Sequence, residues 1–337
     1  MMIEHDWKTV IEKLKTSRKA LLTTHVNPDG DGLGSEMAMY YCLGKMDIEV
    51  EIINDSALPD EYSFLDPQNI IRQYDRERDR GRLNQFDLIF TLDIGGVARL
   101  GKLGEDLALL NIPTICIDHH PENHISCIYK IVDEKSPATA CLIFELIKQL
   151  NPEVIDTKIA EALYVGLMTD TGSFRFENTT AKAMETAAEF IRLGVKPTEI
   201  FSNVYENYTR QRMKLLGATL QKIQYEFDGK LAWFTVLGSD IQEAGATLDE
   251  VGGFTDFVRS IKGVEVAIMF FEVRKNRVRV NFRSQGKVIV NEIALKFGGG
   301  GHFFAAGISL NDTLEEAVDK ILPEVRNAVR KLSLNQE

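Results

Sequence analysis

Four short segments carry side chains able to hold cations and move protons. The first, His25-Val26-Asn27-Pro28-Asp29-Gly30-Asp31-Gly32-Leu33-Gly34-Ser35, sets one imidazole and two carboxylates close together between a β-rich run and a helical one. Pro28 with Gly30, Gly32 and Gly34 predicts a tight loop that turns those three side chains inward. The second, Thr91-Leu92-Asp93-Ile94-Gly95-Gly96, ends an apolar run on a carboxylate, and the third, Ile115-Cys116-Ile117-Asp118-His119-His120-Pro121, does the same with an Asp-His-His triplet. In the fourth, Thr169-Asp170-Thr171 interrupts an apolar helix that Gly172 ends.

Taken singly, each segment also reads as an acidic helix cap or a solvated turn. The glycine spacing of the first is G-x-G-x-G followed by Ser, not the G-x-G-x-x-G of a dinucleotide site, which weakens an NAD-binding oxidoreductase. An EF-hand is excluded because Tyr40 stands where the closing Glu would fall, counted from Asp29. Together the segments bring Asp29, Asp31, Asp93 and Asp170, four negative charges that two divalent cations would neutralise, with His25 and His119 as nitrogen ligands. Carboxylate and imidazole without thiolate suits Mn²⁺ or Mg²⁺ better than structural Zn²⁺. Two such ions lower the pKa of a water and clamp attacking and leaving oxygens, which phosphoester hydrolysis needs most.

The elements that must position these residues follow from hydrophobic pattern. Short apolar runs at Ala20–Thr24, Ile48–Ile53, Asp87–Leu92 and Pro113–Ile117 predict buried strands, alternating with helices such as Ser35–Lys45 and Ala138–Leu150. That alternation predicts an α/β fold with a mostly parallel sheet flanked by helices, whose ligands bind at the carboxyl ends of the strands. Residues 156–227 read as nearly all helical, with a break at Gly194 and Pro197. Strands at Leu231–Leu237, Glu265–Val273, Arg277–Ser284 and Phe304–Leu310, with helices near Leu248–Ile261, Val288–Phe297 and Thr313–Leu332, predict a smaller mixed α/β domain. The expected division is residues 1–195, a helical connector 196–228, and 229–337.

Composition narrows the class. A chain of 337 residues supports two cores, and 44% hydrophobic with 26% charged residues is the balance of a globular protein. No apolar run approaches the roughly 20 residues of a membrane helix, and the acidic start Met1-Met2-Ile3-Glu4-His5-Asp6 is unlike a signal peptide, so a cytoplasmic location is expected. A net charge of −11 argues against a duplex-DNA binder, although residues 1–190 hold 19 basic against 32 acidic side chains and residues 191–337 hold 20 against 18. Cys42, Cys116, Cys127 and Cys141 show no Cys-x-x-Cys spacing and read as buried free thiols.

Over nearly its whole length the chain resembles the DHH phosphoesterase superfamily, in its nanoRNase/pAp-phosphatase branch; His25-x-Asn27-Pro28-Asp29-Gly30-Asp31 followed by Asp118-His119-His120 carries the resemblance. It implies one metal on His25, Asp29 and Asp93 and a second on Asp31, Asp93, His119 and Asp170, with Asp93 bridging. It further implies that His120 faces the scissile phosphate and that Asp118 supports the site from behind. Ile94-Gly95-Gly96 departs from the small hydroxyl residues common in the family. The run Phe297-Gly298-Gly299-Gly300-Gly301-His302 with Ala305-Ala306-Gly307 resembles the DHH-associated C-terminal domain, apart from Phe303-Phe304, where polar residues or Pro are usual.

Residues 274–287 hold six basic side chains and no acidic one, and strand alternation sends Arg277, Arg279 and Arg283 to one face. Arg283-Ser284 resembles the family's substrate-phosphate contact, joined by Arg259, with Gly252 where relatives often carry Glu. Gly299, Gly300, Gly301 and His302 complete the expected substrate site, their backbone amides forming an anion nest.

The reading is a hydrolase with two divalent ions, Mn²⁺ first and Mg²⁺ or Co²⁺ as alternatives, and a cleft between its domains. It would cleave short oligoribonucleotides to nucleoside monophosphates, or pAp to AMP. His120, Asp118 and Asp93 are its expected catalytic residues. Partners would be short single-stranded RNA or DNA or a nucleotide bisphosphate, without membrane or long duplex, and homodimerisation is kept open. A cyclic di-AMP or pApA phosphodiesterase is the alternative within the same chemistry; a catalytically silent nucleotide-binding or sensor protein is the alternative of another class.

Overall fold

The computed structural model describes residues 7–120, 127 and 129–334. The chain divides into two compact units, Met1–Asn207 and Tyr208–Glu337.

The first unit is a wholly parallel six-stranded sheet in the order β3-β2-β1-β4-β5-β6. Its strands are β1 Lys19–Thr23, β2 Glu49–Asn54, β3 Ile71–Gln73, β4 Leu88–Leu92, β5 Thr114–Asp118 and β6 Tyr129–Val132. The central strands are continuous apolar runs because helices cover both faces. On one face Ala20, Leu22, Phe90 and Ile117 pack under the helices Gly30–Gly44, Thr139–Leu150 and Thr157–Asp170. On the other, Leu21, Ile53 and Ile89 meet Tyr74, Leu83, Leu103 and Leu107. β3 and β6, the two edge strands, escape a reading of apolar runs because they are only three and four residues long.

The glycines after Asp29 do not form the expected loop. They lie in the first turns of the helix Gly30–Gly44, and their missing side chains permit close packing. A Cβ on Gly34 would stand 2.3 Å from the Ala162 carbonyl oxygen, and one on Gly166 would meet Ala140 Cβ and Asp31 Oδ1, each at 2.7 Å. This close crossing of two helices brings the end of Thr157–Asp170 beside Asp31.

Beneath the loop that follows β1, Glu36 is fully buried and accepts a hydrogen bond from Asn54 Nδ2 at 2.9 Å. Asn54 Oδ1 in turn accepts from the Thr24 amide at 2.9 Å. Burial pushes the Glu36 carboxyl up to about 8 from 4.5, so the folded chain keeps a proton that the unfolded chain releases. Stability contributed by that proton is present in acid and lost as pH rises through 8, on the order of 4–5 kcal/mol in all. Glu36→Gln should flatten this part of the pH dependence and stabilise the fold at pH 8, as read from urea midpoints between pH 5 and 8.5. A pH profile unchanged from that of the parent would show Glu36 to be ionised in the fold.

The second unit holds a mixed six-stranded sheet in the order β11-β12-β10-β9-β8-β7, parallel only between β8 and β9. Its strands are β7 Gln224–Glu226, β8 Leu231–Val236, β9 Val266–Arg274, β10 Arg277–Ser284, β11 Gly300–His302 and β12 Ala305–Leu310. The helix Leu314–Leu334 and the shorter Val290–Lys296 cover one face. Arg210–Leu220, Gly238–Ala244 and Phe254–Arg259 cover part of the other. The helix expected over 248–261 is broken in two because Gly252-Gly253 intervenes, Gly253 taking φ +79°. The region after Asp156 is four separate helices, of which Pro197–Tyr205 falls in the first unit and Arg210–Leu220 in the second. Among the described residues no helix is long and apolar enough to cross a membrane.

Candidate metal centre

Strand order reverses between β1 and β4, and in an open parallel sheet the carboxyl ends at such a point diverge into a crevice. The residues that follow β1, β4 and β5 gather there. His25 is buried, and its Nδ1 lies 2.9 Å from the Val26 carbonyl, which makes Nδ1 the donor and leaves Nε2 as a bare lone pair. That Nε2 is buried without a hydrogen-bond partner, 3.5 Å from Asp29 Oδ2 and 3.8 Å from Asp93 Oδ2. A lone pair aimed at two carboxylate oxygens is repulsive unless a cation sits between them, so the donor set fits a metal ion. Asp29 also caps the helix Gly30–Gly44, its Oδ1 accepting from the amides of Asp31 at 3.0 Å and Gly32 at 3.3 Å.

A second group forms around His119. Its Nδ1 faces the Ser136 carbonyl at 3.1 Å, and its Nε2 lies 3.8 Å from Asp31 Oδ2, 3.6 Å from Asp93 Oδ1 and 3.5 Å from Asp170 Oδ2. Asp31 is buried and accepts the first amides of the helix Thr139–Leu150, from Thr139 at 2.6 Å and Ala140 at 2.8 Å. The positive end of that helix favours its charge. Asn178 Nδ2 donates to the Asp170 carbonyl at 3.1 Å, holding the end of its helix.

Asp93 belongs to both groups. It is buried at φ +56°, its amide donating to the Ile117 carbonyl at 3.0 Å. One carboxylate oxygen faces His25 and the other faces His119, the latter also accepting from Thr139 Oγ1 at 3.0 Å. Burial raises the carboxyl pKa of Asp93 well above its ordinary value, and Asp31 and Asp29 add to the effect. Asp31 is raised for the same first reason, and burial takes Asp170 up to about 8 against the pull of His119. Burial lowers the pKa of His119, but the Asp170 and Asp31 carboxylates raise it by more.

Asp118 is spent on structure. Its Oδ2 accepts from the amides of Ile94 at 3.2 Å and Gly95 at 2.7 Å, and its Oδ1 accepts from the His120 amide at 3.0 Å and lies 2.8 Å from His120 Nδ1. Burial opposes its charge, yet His120 and these amides hold it down at about 2. Asp118 therefore orients the His120 ring, whose Nδ1 also lies 3.4 Å from Asp93 Oδ1.

Arg99 stands beside His120 although no motif marks it. A short 3₁₀ turn, Val97–Leu100, folds it back so that its Nη1 and the His120 ring flank Gly95, each 3.3 Å from where a Cβ on Gly95 would stand. Among the described residues it makes no ion pair, and its charge lowers the pKa of Asp29. An arginine six residues past a strand-end Asp carries no signal of its own; only the turn reveals it. The glycine at 95 is thereby accounted for, since any side chain would crowd both groups.

In the second unit Val278, Val280 and Phe282 are buried, while Arg277 and Arg279 stand exposed on the opposite face of β10. Arg283 and Arg259 converge on Asp256: Arg283 Nε is 3.0 Å from both its carboxylate oxygens and Arg259 Nε 3.7 Å from one. Ser284 is buried, donating to Glu265 Oε1 at 3.1 Å and accepting from the Gly286 amide at 3.1 Å, so its hydroxyl holds a turn. Of the glycine run, Gly300 and Gly301 with His302 form β11, and a Cβ on Gly299 would stand 2.0 Å from Ile308 Cγ2. Close packing accounts for the glycine at 299. Phe303 and Phe304 make the exposed turn between β11 and β12.

Two family models match the chain: the DHH family N-terminal domain over residues 19–167 and the DHHA1 domain over residues 229–331. The chain is 31% identical to the bifunctional oligoribonuclease and PAP phosphatase NrnA of Thermus thermophilus, over 96% of this chain and 94% of that one. It is 28% identical to the protein of the same name from Bacillus subtilis, over 92% and 95%. A crystal structure of an exopolyphosphatase-related protein from Bacteroides fragilis superposes with a TM-score of 0.90 at 28% identity, over 98% and 97% of the two chains. With donor groups around His25 and His119 at the switch point of a parallel sheet, and both family models matched in order, the chain belongs to the DHH family of divalent-metal phosphoesterases and carries a DHHA1 domain in its second half.

Proposed function

We propose that the chain hydrolyses short oligoribonucleotides to nucleoside monophosphates and pAp to AMP, with His25, Asp29 and Asp93 holding one divalent ion and Asp31, Asp93, His119 and Asp170 a second. The observation that carries the reading is Asp93, whose two oxygens face separate donor groups. Mn²⁺ is the ion we assign first, and a cytoplasmic location follows the same reading. When bound, the ions would supply charge neutralisation and an acidified water. The chain's own residues do the rest. Hydrolysis adds water across a P–O bond, and negative charge grows on the phosphoryl oxygens as the ribose oxygen leaves with a proton. His120, fixed by Asp118, would supply a hydrogen-bond donor, and Arg99 beside it positive charge, where that charge develops. Within the second unit, Arg283, Arg259, His302 and the glycine strand would take a phosphate, Asp256 yielding Arg283 to it.

The test is a panel of RNA dinucleotides to pentanucleotides, pAp, cyclic di-AMP, pApA and pyrophosphate with Mn²⁺. Turnover of the short RNAs and pAp above the others is expected. Preference for cyclic di-AMP or pApA would move the reading to a cyclic dinucleotide phosphodiesterase, and binding without hydrolysis of any would make it a sensor. Arg99→Ala should lower kcat/KM on these substrates by roughly 10²–10³, with partial recovery in Arg99→Lys and unchanged bound metal. Full activity in the alanine variant would remove Arg99 from the reacting phosphate.

A further inference from the structure

Cys127 packs against the small buried cluster that holds Cys116, although no Cys-x-x-Cys spacing announces them as a pair. Cys116 is on β5, fully buried; Cys127 lies just before β6 and is only partly buried. The two pack together with Ile94 and Leu100 in a small apolar cluster of their own. Cys127 is further held by a hydrogen bond from its Sγ to the Tyr129 carbonyl at 3.4 Å. Neither thiol is among the residues assigned to metal or substrate, whereas Cys42 sits in the main core and Cys141 is packed against that core. The pair therefore has an accessible member, a buried member in contact with it, and a position against the site, since Ile94 follows Asp93 and Cys116 stands two residues before Asp118.

We propose that Cys127 and Cys116 are a peroxide-oxidisable pair whose disulfide alters the β5 end that carries Asp118, His119 and His120. Cys127 sulfur attacks one peroxide oxygen, the O–O bond breaks, and the departing hydroxide takes a proton to leave as water, giving a sulfenic acid. Cys116, losing its proton, then attacks that sulfur and expels the hydroxyl as a second water. One hydrogen peroxide is reduced and two thiols are oxidised to one disulfide. The chemistry suits the environment: the Cys116 hydrogen bond lowers the Cys127 thiol to about 7 against the effect of its burial, and Lys130 helps. The neighbouring Cys127 and then burial both keep Cys116 a thiol until it is called on to resolve.

The experiment treats the metal-loaded full chain with a few equivalents of hydrogen peroxide and reads intact mass, then the peptides. A loss of two hydrogens with a Cys116–Cys127 cross-link, leaving Cys42 and Cys141 as thiols, is the expected result. Cys127→Ser should give no cross-link, and Cys116→Ser or Cys116→Ala should stop at a sulfenic acid on Cys127 that dimedone captures. The effect on the site rests on the reading of it given above and is scored separately, as hydrolysis of a chromogenic phosphodiester. At least a fivefold fall in rate on cross-linking, reversed by dithiothreitol and absent in Cys127→Ser, is expected. Absence of the cross-link, or cross-links involving Cys42 or Cys141, would overturn the pair. A complete cross-link with unchanged rate would overturn its coupling to the site. Absence of hydrolysis in the untreated protein would count against the phosphoesterase reading and leave the mass result standing.

Discussion

Asp93→Asn is expected to lower turnover on the order of 10³-fold or more while the fold survives. Asparagine is nearly isosteric, tolerates the φ of +56° that this position requires, and can keep the Thr139 hydrogen bond. What it lacks is the charge that faces His25 with one oxygen and His119 with the other. Both ions should therefore bind more weakly, as titration calorimetry with Mn²⁺ would show, whereas Asp29→Asn should weaken one site chiefly. In the chelated protein the same substitution should raise stability at pH 8, because burial and the neighbouring carboxylates oppose ionisation of Asp93 there. Near-normal turnover in a variant that binds metal normally would take Asp93 out of the centre.

Chelation is expected to abolish activity and to reverse the pH dependence of stability at this site. Without metal, burial lifts the carboxyl pKa values of Asp31, Asp93 and Asp170, the last up to about 8 from 3.8. The folded state then holds protons that the unfolded chain has released. Its stability is greatest in acid and falls as pH rises from about 4 through 8. Metal inverts the sign, because it binds the ionised ligands and competes with protons. Mn²⁺ at a hundred times its Kd should add about 2.7 kcal/mol per site, and a fixed Mn²⁺ concentration should add more at pH 8 than at pH 6 because protons compete with the metal. The measurement is a thermal melt series in EDTA and in Mn²⁺ across that range, in the Glu36→Gln background so that Glu36 does not titrate in the same window. Stability in EDTA that rises with pH would contradict a cluster of carboxylates forced together without cations.

Much of this centre was legible before any coordinates. β1, β4 and β5 are apolar because they are buried on both faces, and a polar side chain directly after such a run has to lie at the strand end. His25, Asp93 and the Asp118-His119-His120 triplet could be placed on that argument alone. The donor types then pointed to hard cations. Val278, Val280 and Phe282 likewise announced which face of β10 is buried.

The roles of individual atoms were decided by tertiary structure. Whether a histidine offers a lone pair depends on what its other nitrogen bonds: Val26 and Ser136 carbonyls for His25 and His119, the Asp118 carboxylate for His120. The glycines at 30, 32 and 34 could be read as a loop or as helix contacts until Thr169, Thr24 and Ala162 were seen against them. Ser284 and Arg283, adjacent in sequence, part company because one points into the fold toward Glu265 and the other out toward Asp256. Arg99 and the Cys116–Cys127 pair had no local pattern at all, because their meaning lies in neighbours brought close by a 3₁₀ turn and by strand pairing. The sequence by itself determined the chemistry available and the strand ends that carry it, since residue type and burial period are local properties. Only the tertiary structure decided which oxygen, nitrogen or sulfur faces which partner, because hydrogen-bond direction and packing are set by residues distant in the chain.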